Sequence, residues 1–237
     1  MVQELPEKYA NICSIYFLEN TGRADIVTWN PLLIYGKPSI EEELLGMTFE
    51  IQPKSFFQVN TFGAEKLYTI ALDFIREKWW ILLDLYAGTG TIGILLSKYF
   101  EEVYSVELVE SASRDGELNS VKNGVKNVRF INEKVEDFAK SFEEKWGRAD
   151  TIVIDPPRDG MHPSTYRSLL SFGSKEIIYV SCNPATLARD LEVFIGKSRD
   201  EKTEGLPRYR ITDVTPVDMF PHTHHIETVV RMEKIVW

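Results

Sequence analysis

The stretch Ile81-Leu-Leu-Asp-Leu-Tyr-Ala-Gly-Thr-Gly-Thr-Ile-Gly93 decides the fold. It joins an apolar run, typical of a buried strand, to a Gly-x-Gly-x-x-Gly loop that begins at Gly88 and opens a helical pattern. Glu107 stands at the end of the next predicted strand, about 20 residues further on. This order of strand, loop, helix and acid predicts a nucleotide-type cofactor site, in which Gly88 and Gly90 lie against the ligand and Glu107 contacts a ribose. A tight turn that needs glycine only for packing is the alternative.

Strands and helical patterns alternate on both sides of this stretch. Strands are predicted over 81–86, 103–107, 128–131, 151–155 and 177–181, and helices over 61–75 and near 91–99, 110–122, 164–172 and 184–195. Such alternation is typical of a doubly wound, Rossmann-like α/β sheet. Residues 209–216 and 226–233 predict an antiparallel pair of strands at its edge.

The part of the chain before this sheet has a different character. Short apolar runs alternate with turn signals, and residues 47–52 alternate like a strand. We therefore predict a small β-rich segment over 1–60 and an α/β domain over 61–237.

Composition excludes several classes of protein. The chain has 237 residues, of which 43% are hydrophobic, and a formal net charge of −9. No apolar run approaches the roughly 20 residues of a membrane span, and the two cysteines, Cys13 and Cys182, are too few for a disulfide scaffold or a cysteine metal site. We expect a cytoplasmic protein with free thiols. The negative charge argues against a globally basic nucleic-acid binder, so RNA or DNA has to be held locally or by a segment outside this chain.

Cys182 stands where a predicted strand ends and a helix begins, with Asn183 as N-cap and Pro184 at the first helical position. A helix N-terminus lowers the pKa of a thiol, and the thiolate is the nucleophilic form. Cys182 is therefore a candidate nucleophile. A buried structural cysteine is the alternative.

Two carboxylates fall at predicted strand ends. Asp155 is followed by two prolines and Arg158. The prolines restrict the backbone after the strand, which either holds Asp155 at the ligand-binding end of the sheet or simply forms a rigid turn. Glu227 begins an apolar strand, where desolvation suits a general base, although an edge-strand charge in solvent fits as well. The histidines at 222, 224 and 225 are not accompanied by the ligands that a metal site needs, and we expect no metal.

The segment around Phe56 and Gln58 combines aromatic faces with an amide. Such a set can stack on and hydrogen-bond an extruded base. A strand that only packs is equally consistent with the pattern.

Six strings in order resemble the RNA uracil-C5 methyltransferase family, whose members make 5-methyluridine in ribosomal and transfer RNA. They are Ser55-Phe-Phe-Gln-Val-Asn60, Asp84-Leu-Tyr-Ala-Gly-Thr-Gly-Thr-Ile-Gly93, Val106-Glu107, Asp155-Pro-Pro-Arg158, Ser181-Cys-Asn-Pro-Ala-Thr-Leu-Ala-Arg-Asp190 and Val217-Asp-Met-Phe-Pro-His-Thr-His-His-Ile-Glu227. The resemblance implies a class I S-adenosylmethionine methyltransferase fold, with Cys182 adding to C6 of uracil and Glu227 removing the C5 proton. It also implies that Gln58, Tyr86, Glu107 and Asp155 contact S-adenosylmethionine, and that Phe56 and Arg158 contact RNA.

Members of this family usually carry an N-terminal RNA-binding β-barrel, and many carry a four-cysteine iron–sulfur site; neither occurs in this sequence. The resemblance implies that the segment over 1–60 is part of a larger β domain and that the domain over 61–237 is catalytic. We expect a C-terminal catalytic part or a shortened member that acts as a monomer on RNA, with rRNA favoured over tRNA.

Four alternatives compete with this interpretation. A cytosine-C5 enzyme typically has a cysteine after Asp155-Pro156, and an amino-group methyltransferase an aromatic where Arg158 stands. An NAD-dependent dehydrogenase leaves Cys182 and Glu227 without roles. A catalytically idle remnant would bind RNA without transferring a methyl group.

Overall fold

Strands and helices alternate over most of the chain. The computed structural model describes residues 4–19, 31–146, 148–197 and 203–235. Its elements are α1 Glu4–Lys8, β1 Ser14–Phe17, β2 Leu32–Gly36, β3 Ile40–Leu44, β4 Met47–Ile51, α2 Thr61–Phe74, β5 Trp79–Leu85, α3 Thr91–Leu96, a 3-10 helix Ser97–Tyr99, β6 Phe100–Val106, α4 Glu110–Lys122, β7 Val128–Ile131, α5 Val135–Trp146, β8 Thr151–Ile154, α6 Pro163–Phe172, β9 Glu176–Ser181, α7 Pro184–Phe194, β10 Tyr209–Val217 and β11 Glu227–Lys234. None of these described helices is long and apolar enough to cross a membrane.

Seven of the described strands form one sheet in the order β10-β11-β9-β8-β5-β6-β7. The five strands from β9 to β7 are parallel, whereas β11 pairs antiparallel with both β9 and β10. The doubly wound sheet and the antiparallel pair near its edge are therefore confirmed. The carboxyl ends of β5, β8 and β9 lie side by side, which is where ligands bind in such sheets.

The sequence prediction missed one helix and shifted several boundaries. Helix α5 was not predicted, although its buried residues Val135, Phe138, Ala139 and Phe142 have the i, i+3, i+4, i+7 spacing of an amphipathic helix. Strand β5 ends one residue earlier than predicted, because Tyr86 has a φ of +61° and cannot continue a strand. Residues 20–30 of the predicted β-rich segment lie outside the described part of the chain.

Two hydrophobic cores cover the two faces of the sheet. Neighbouring residues of β5 point to opposite faces, so that Leu83 packs under α5, α6 and α7 while Leu82 packs under α2 and α3. The β3–β4 hairpin joins the second core through Leu44 and Phe49. The amide of Glu50 also donates to Asn119 Oδ1 on α4, at 2.7 Å. The division of the chain after residue 60 stays a prediction.

Helix α3 approaches the sheet very closely at Gly93. A Cβ atom there would lie 2.4 Å from Ser105 Oγ and 2.6 Å from Asp84 Oδ2. Both contacts are far inside van der Waals distance, so only glycine allows α3 to pack on β5 and β6 at this point. This explains the last glycine of the loop as a packing requirement.

A fully buried carboxylate on α7 fixes the loop that follows β8. Asp190 accepts hydrogen bonds from Tyr166 Oη at 2.7 Å, Tyr179 Oη at 2.6 Å and the Met161 amide at 2.9 Å. Its neighbour Arg189 donates to it at 2.8 Å and to the Asp159 carbonyl at 2.8 Å. The loop, β9 and α7 are thereby held as one unit.

We expect Asp190→Asn to lower the free energy of unfolding by about 1–3 kcal/mol, because the amide nitrogen would face buried donors and leave at least one of them unpaired. Urea denaturation measures the change. Asp159→Asn, at an exposed carboxylate on the same loop, is the matched control and should leave the midpoint unchanged. Equal stability of Asp190→Asn and wild type would contradict the assignment of Asp190 as the anchor.

Candidate active site

A cavity of about 290 Å³ opens at the carboxyl ends of β5, β8 and β9. It brings together residues that are as much as 171 positions apart in sequence when counted from Phe56 to Glu227 (227 − 56). Most of the predicted site residues line it, namely Phe56, Gln58, Tyr86, Gly88, Asp155, Arg158, Cys182 and Glu227. The candidate nucleophile and the candidate base therefore face the same space.

A second, more open cavity of about 820 Å³ adjoins the first and shares Tyr86, Asp155 and Pro157 with it. Glu107 lies in this second cavity. One oxygen of its carboxylate accepts from the Gly88 amide at 2.8 Å, and the other accepts from the Val109 amide at 2.7 Å. Glu107 thus holds the glycine loop in place and still presents free lone pairs to the cavity.

The two predicted glycine contacts differ in surroundings. Gly88 has a φ of +55° and no atom within 4 Å of the position that a Cβ would take, so its backbone is open to a ligand. Gly90 also has a positive φ, of +70°, but a Cβ there would lie 2.3 Å from the ring of Phe130. Gly90 lines neither cavity. The structure therefore explains Gly90 by packing, and brings only Gly88 to the site.

Cys182 sits between the end of β9 and the start of α7. The predicted cap is present: the Asn183 side chain accepts from the Ala185 amide at 3.1 Å, and Pro184 occupies the first turn. Asn183 Nδ2 and Thr186 Oγ1 also donate to the Arg158 carbonyl, both at 3.1 Å. The segment that carries the thiol and the loop that carries Asp155 and Arg158 are therefore tied together.

Three carboxylates face the first cavity. Asp84 is fully buried, and its Oδ2 accepts from the Gly93 amide at 3.0 Å and from Ser105 Oγ at 2.9 Å. Burial raises the pKa of Asp84 to about 6. Burial and the charges of Glu227 and Asp84 raise the pKa of Asp155 to about 8, and burial raises the pKa of Glu227. Because burial disfavours the charged form of all three carboxyl groups, a cationic ligand that binds among them is favoured.

The same carboxylates act on the thiol. Burial is the largest cause that raises the pKa of Cys182, followed by the charges of Glu227 and Asp155, and Arg158 opposes them. The prediction of a lowered thiol pKa is wrong for this reason. The helix N-terminus was visible in the sequence, whereas the two facing carboxylates became neighbours of the sulfur only in the fold.

Tyr68 and Asp84 line the cavity but were absent from the predicted site. Tyr68, on α2, forms a side-chain hydrogen bond with Gln58, and burial raises its pKa. In the sequence this tyrosine is indistinguishable from a core residue of an amphipathic helix. Asp84 did leave a signal, because a carboxylate near the end of an apolar strand is costly to bury without a purpose.

The histidine loop, residues 218–226 between β10 and β11, holds no cluster of metal ligands among the described residues. Among the described residues, no group of three or more histidine, cysteine, aspartate or glutamate side chains could bind a metal ion. The rings of His224 and His225 instead contact each other at a tilt of 36°, with centroids 4.1 Å apart.

Comparisons with known proteins agree on one family. The sequence model described as tRNA (Uracil-5-)-methyltransferase matches residues 37–235. A protein described as an uncharacterized RNA methyltransferase from Fusobacterium nucleatum subsp. nucleatum is 39% identical over 235 residues, covering 98% of this chain and 48% of that protein. A second protein with this description, from Caldanaerobacter subterraneus subsp. tengcongensis, is 39% identical over 99% of this chain and 50% of its own length. The chain spans about half the length of these curated relatives.

Solved structures give the same result. The tRNA (uracil-54, C5)-methyltransferase of Pyrococcus abyssi, crystallised with S-adenosyl-L-homocysteine, superimposes with a TM-score of 0.76 at 32% identity, covering 96% of this chain and 52% of that one. A putative methyltransferase from Streptococcus mutans superimposes with a TM-score of 0.66 over 99% of this chain and 64% of its own, and at 14% identity it shows the fold alone.

The sheet, the glycine loop and the crevice at the strand ends define a class I S-adenosylmethionine-dependent methyltransferase fold. Within that class, the chain belongs to the tRNA (uracil-5-)-methyltransferase family.

The residues present fit the cofactor of this family, S-adenosylmethionine. Its sulfonium and ammonium groups are cations, and Asp84, Asp155 and Glu227 supply negative charge around the first cavity. Among the described residues, the buried Oδ1 of Asp84 has no hydrogen-bond partner, which leaves an acceptor for a ligand. Gly88 leaves open space for close approach of the ligand to the loop.

We expect Glu227→Gln to lower, and Arg158→Gln to raise, the pH midpoint of Cys182 alkylation by iodoacetamide. Removing a neighbouring negative charge stabilises the thiolate, and removing a neighbouring positive charge destabilises it. The measurement uses a Cys13→Ser background, because Cys13 is exposed and would also react. Asp159→Asn is the control, as an exposed charge on the Arg158 loop. An unchanged midpoint in Glu227→Gln would show that the carboxylate does not act on the sulfur.

Proposed function

We propose that this chain is the catalytic part of an enzyme that methylates C5 of a uridine in RNA with S-adenosylmethionine. The observation that carries the proposal is the single cavity in which Cys182 and Glu227 face the residues proposed to hold the cofactor. A thiol has no part in simple methyl transfer to a nitrogen. It is required when the accepting carbon must first be made nucleophilic.

In the proposed reaction, the thiolate of Cys182 adds to C6 of uracil, and the C5–C6 electron pair makes C5 a carbon nucleophile. When bound, S-adenosylmethionine would supply the electrophilic methyl group that C5 accepts, and the sulfonium sulfur would keep the electron pair of the broken S–CH3 bond, leaving S-adenosylhomocysteine. Glu227 then removes the C5 proton, the C5–C6 double bond forms again, and the thiolate leaves C6. The raised pKa of Glu227, caused by burial, suits a carboxylate that must take a carbon-bound proton.

We assign the cofactor to Gln58, Tyr86, Gly88, Glu107 and Asp155. Tyr86, Gly88 and Asp155 support this assignment because they line the first cavity, and Glu107 and Tyr86 line the adjoining one, so the two cavities suit the two halves of an elongated ligand. Gly90 contributes through the conformation of the loop.

We assign the target base to Phe56 and Arg158. Phe56 is largely exposed at the cavity wall, where its ring can stack on an extruded base. Arg158 is exposed, and Asn183 and Thr186 donate hydrogen bonds to its carbonyl, so its backbone is anchored. The guanidinium group can bind a uracil oxygen or a phosphate.

Both rRNA and tRNA are substrates to be tested. The sequence interpretation favours rRNA, whereas the solved relative from Pyrococcus abyssi is named for a tRNA uridine. RNA shape outside the target base decides such a choice. Methylation assays on unmodified tRNA and rRNA transcripts separate the two.

We expect wild-type protein to form a denaturation-resistant complex with RNA that contains 5-fluorouridine, in the presence of S-adenosylmethionine, because fluorine at C5 cannot be removed as a proton. Cys182→Ala should form none while its affinity for S-adenosylhomocysteine stays within about twofold. Cys13→Ala is the matched control and should behave as wild type. A covalent band in Cys182→Ala would overturn the assignment of the nucleophile, and RNA binding without any band in wild type would support the idle remnant.

We expect Glu227→Gln to trap methylated uridine RNA on the protein, because the amide cannot accept the C5 proton and the thiolate cannot leave. With radioactive methyl donor, a labelled protein–RNA band should accumulate on a denaturing gel. Glu117→Gln, at an exposed residue of α4, should turn over normally. Normal turnover of Glu227→Gln without the band would assign the base to another group.

A further inference from the structure

Three large apolar side chains stand almost free of protein contact beside the active-site cavity. Phe56 is 71% exposed, Val59 is 84% exposed and Phe62 is 81% exposed. They lie within seven consecutive residues, at the loop before α2 and its first turn. We call Phe56, Val59 and Phe62 the apolar strip. Clustered exposure of this kind marks an interaction site, whereas single exposed apolar residues need no explanation.

The strip leads outward from the cavity. Phe56 lines the catalytic cavity, and Val59 lines a separate cavity of about 430 Å³. Phe57 and Gln58 form a wall that the two cavities share. Phe62 follows Val59 by three residues, in the first turn of α2, so the strip continues along the chain from the cavity wall.

The backbone that carries the strip is anchored. Asn60 accepts from the Gly63 amide at 3.1 Å, which caps α2, and donates to the Met219 carbonyl at 2.8 Å. A Cβ on Gly63 would lie 2.7 Å from Met219 Sδ, so the first turn of α2 is pressed against the histidine loop. An anchored backbone reduces the entropy that is lost when a ligand binds.

Aromatic rings of the histidine loop lie near Arg158. The rings of Phe220 and His225 are 6.3 Å apart, and the ring of His224 contacts that of His225. Arg158 lies close enough to lower the pKa of His225, after burial and His224. Arg158 lines the active-site cavity, so the histidine loop approaches the cavity on the side of Arg158.

We propose that the apolar strip is a stacking surface for unpaired RNA bases next to the target uridine. This inference rests on the proposed function. Aromatic faces bind bases of any sequence, and they do so without positive charge, which suits a chain with a net charge of −9. The two phenylalanine rings bury at most about 500 Å², and Val59 adds less than a third ring would, so the strip offers less than the roughly 800 Å² per partner of a stable protein interface. The strip therefore fits one or two bases better than a second protein surface.

The test measures RNA affinity of Phe62 variants by fluorescence anisotropy. The probe is a labelled single-stranded RNA with one 5-fluorouridine between adenosines. We expect Phe62→Ala to weaken binding roughly 5- to 150-fold, the range for loss of one stacked base. Phe62→Leu should also weaken it, because it keeps an apolar side chain but has no ring, whereas Phe62→Trp should retain wild-type affinity. Affinity for S-adenosylhomocysteine, measured by calorimetry, should not change in any of them.

Trp80→Ala is the matched control. Trp80 is 74% exposed, but it stands at the start of β5, at the opposite end of the strand from the cavity. Its removal should leave RNA affinity unchanged. An equal loss in Trp80→Ala would show nonspecific adsorption to exposed rings and would overturn the proposal.

The outcomes separate this inference from the proposed function. If wild type forms the Cys182 adduct and Phe62→Ala binds RNA as tightly as wild type, the strip is not an RNA surface and the proposed function stands. If wild type forms no adduct but Phe62→Ala still lowers RNA affinity, the strip is supported and the reaction fails. Sedimentation that shows a wild-type dimer dissociated by Phe62→Ala would assign the strip to a second copy of the chain and overturn the proposal.

Discussion

The buried carboxylate of Asp84 is the interaction on which the site depends. It stands one residue before the end of β5, and its Oδ2 accepts from the Gly93 amide of α3 and from Ser105 on β6. One charged group thus joins two strands to the helix that follows the glycine loop. Its second oxygen, Oδ1, has no hydrogen-bond partner among the described residues, and Asp84 lines the cavity. Burying a carboxylate with one oxygen unpaired costs free energy, and a cationic ligand offsets that cost.

Hydrogen bonds of Asp190 and Asn183 hold the part of the cavity wall that contains Cys182. Asp190 and Asn183, at the two ends of the first two turns of α7, hold the loop that carries Asp155 and Arg158. Cys182 lies directly before this helix. Because the thiol, the acid and the arginine share one rigid unit, their mutual positions do not depend on the conformation of an exposed loop.

Charge bears on the order of steps in the proposed reaction. Burial raises the pKa of the Cys182 thiol most, and the charges of Glu227 and Asp155 raise it further, so they disfavour the thiolate. A cation bound among the same carboxylates counters their effect on the sulfur. In the proposed reaction, a methyl donor bound among Asp84, Asp155 and Glu227 would therefore favour the thiolate, and Glu227 acts last as the base.

The sequence by itself determined the doubly wound sheet, the glycine loop, the cap at Asn183 and most of the residues of the candidate site. These features depend on periodicity and on residues close together in the chain. The apolar spacing of α5 is of the same kind, so this helix could also have been predicted from the sequence. Tertiary structure decided the rest. It brought Tyr68 to Gln58, separated Gly88 from Gly90 by the position of the Phe130 ring, and reversed the expected shift of the thiol pKa. The physical reason is the same in each case: burial and electrostatic interactions depend on distances through space, and residues far apart in sequence set them.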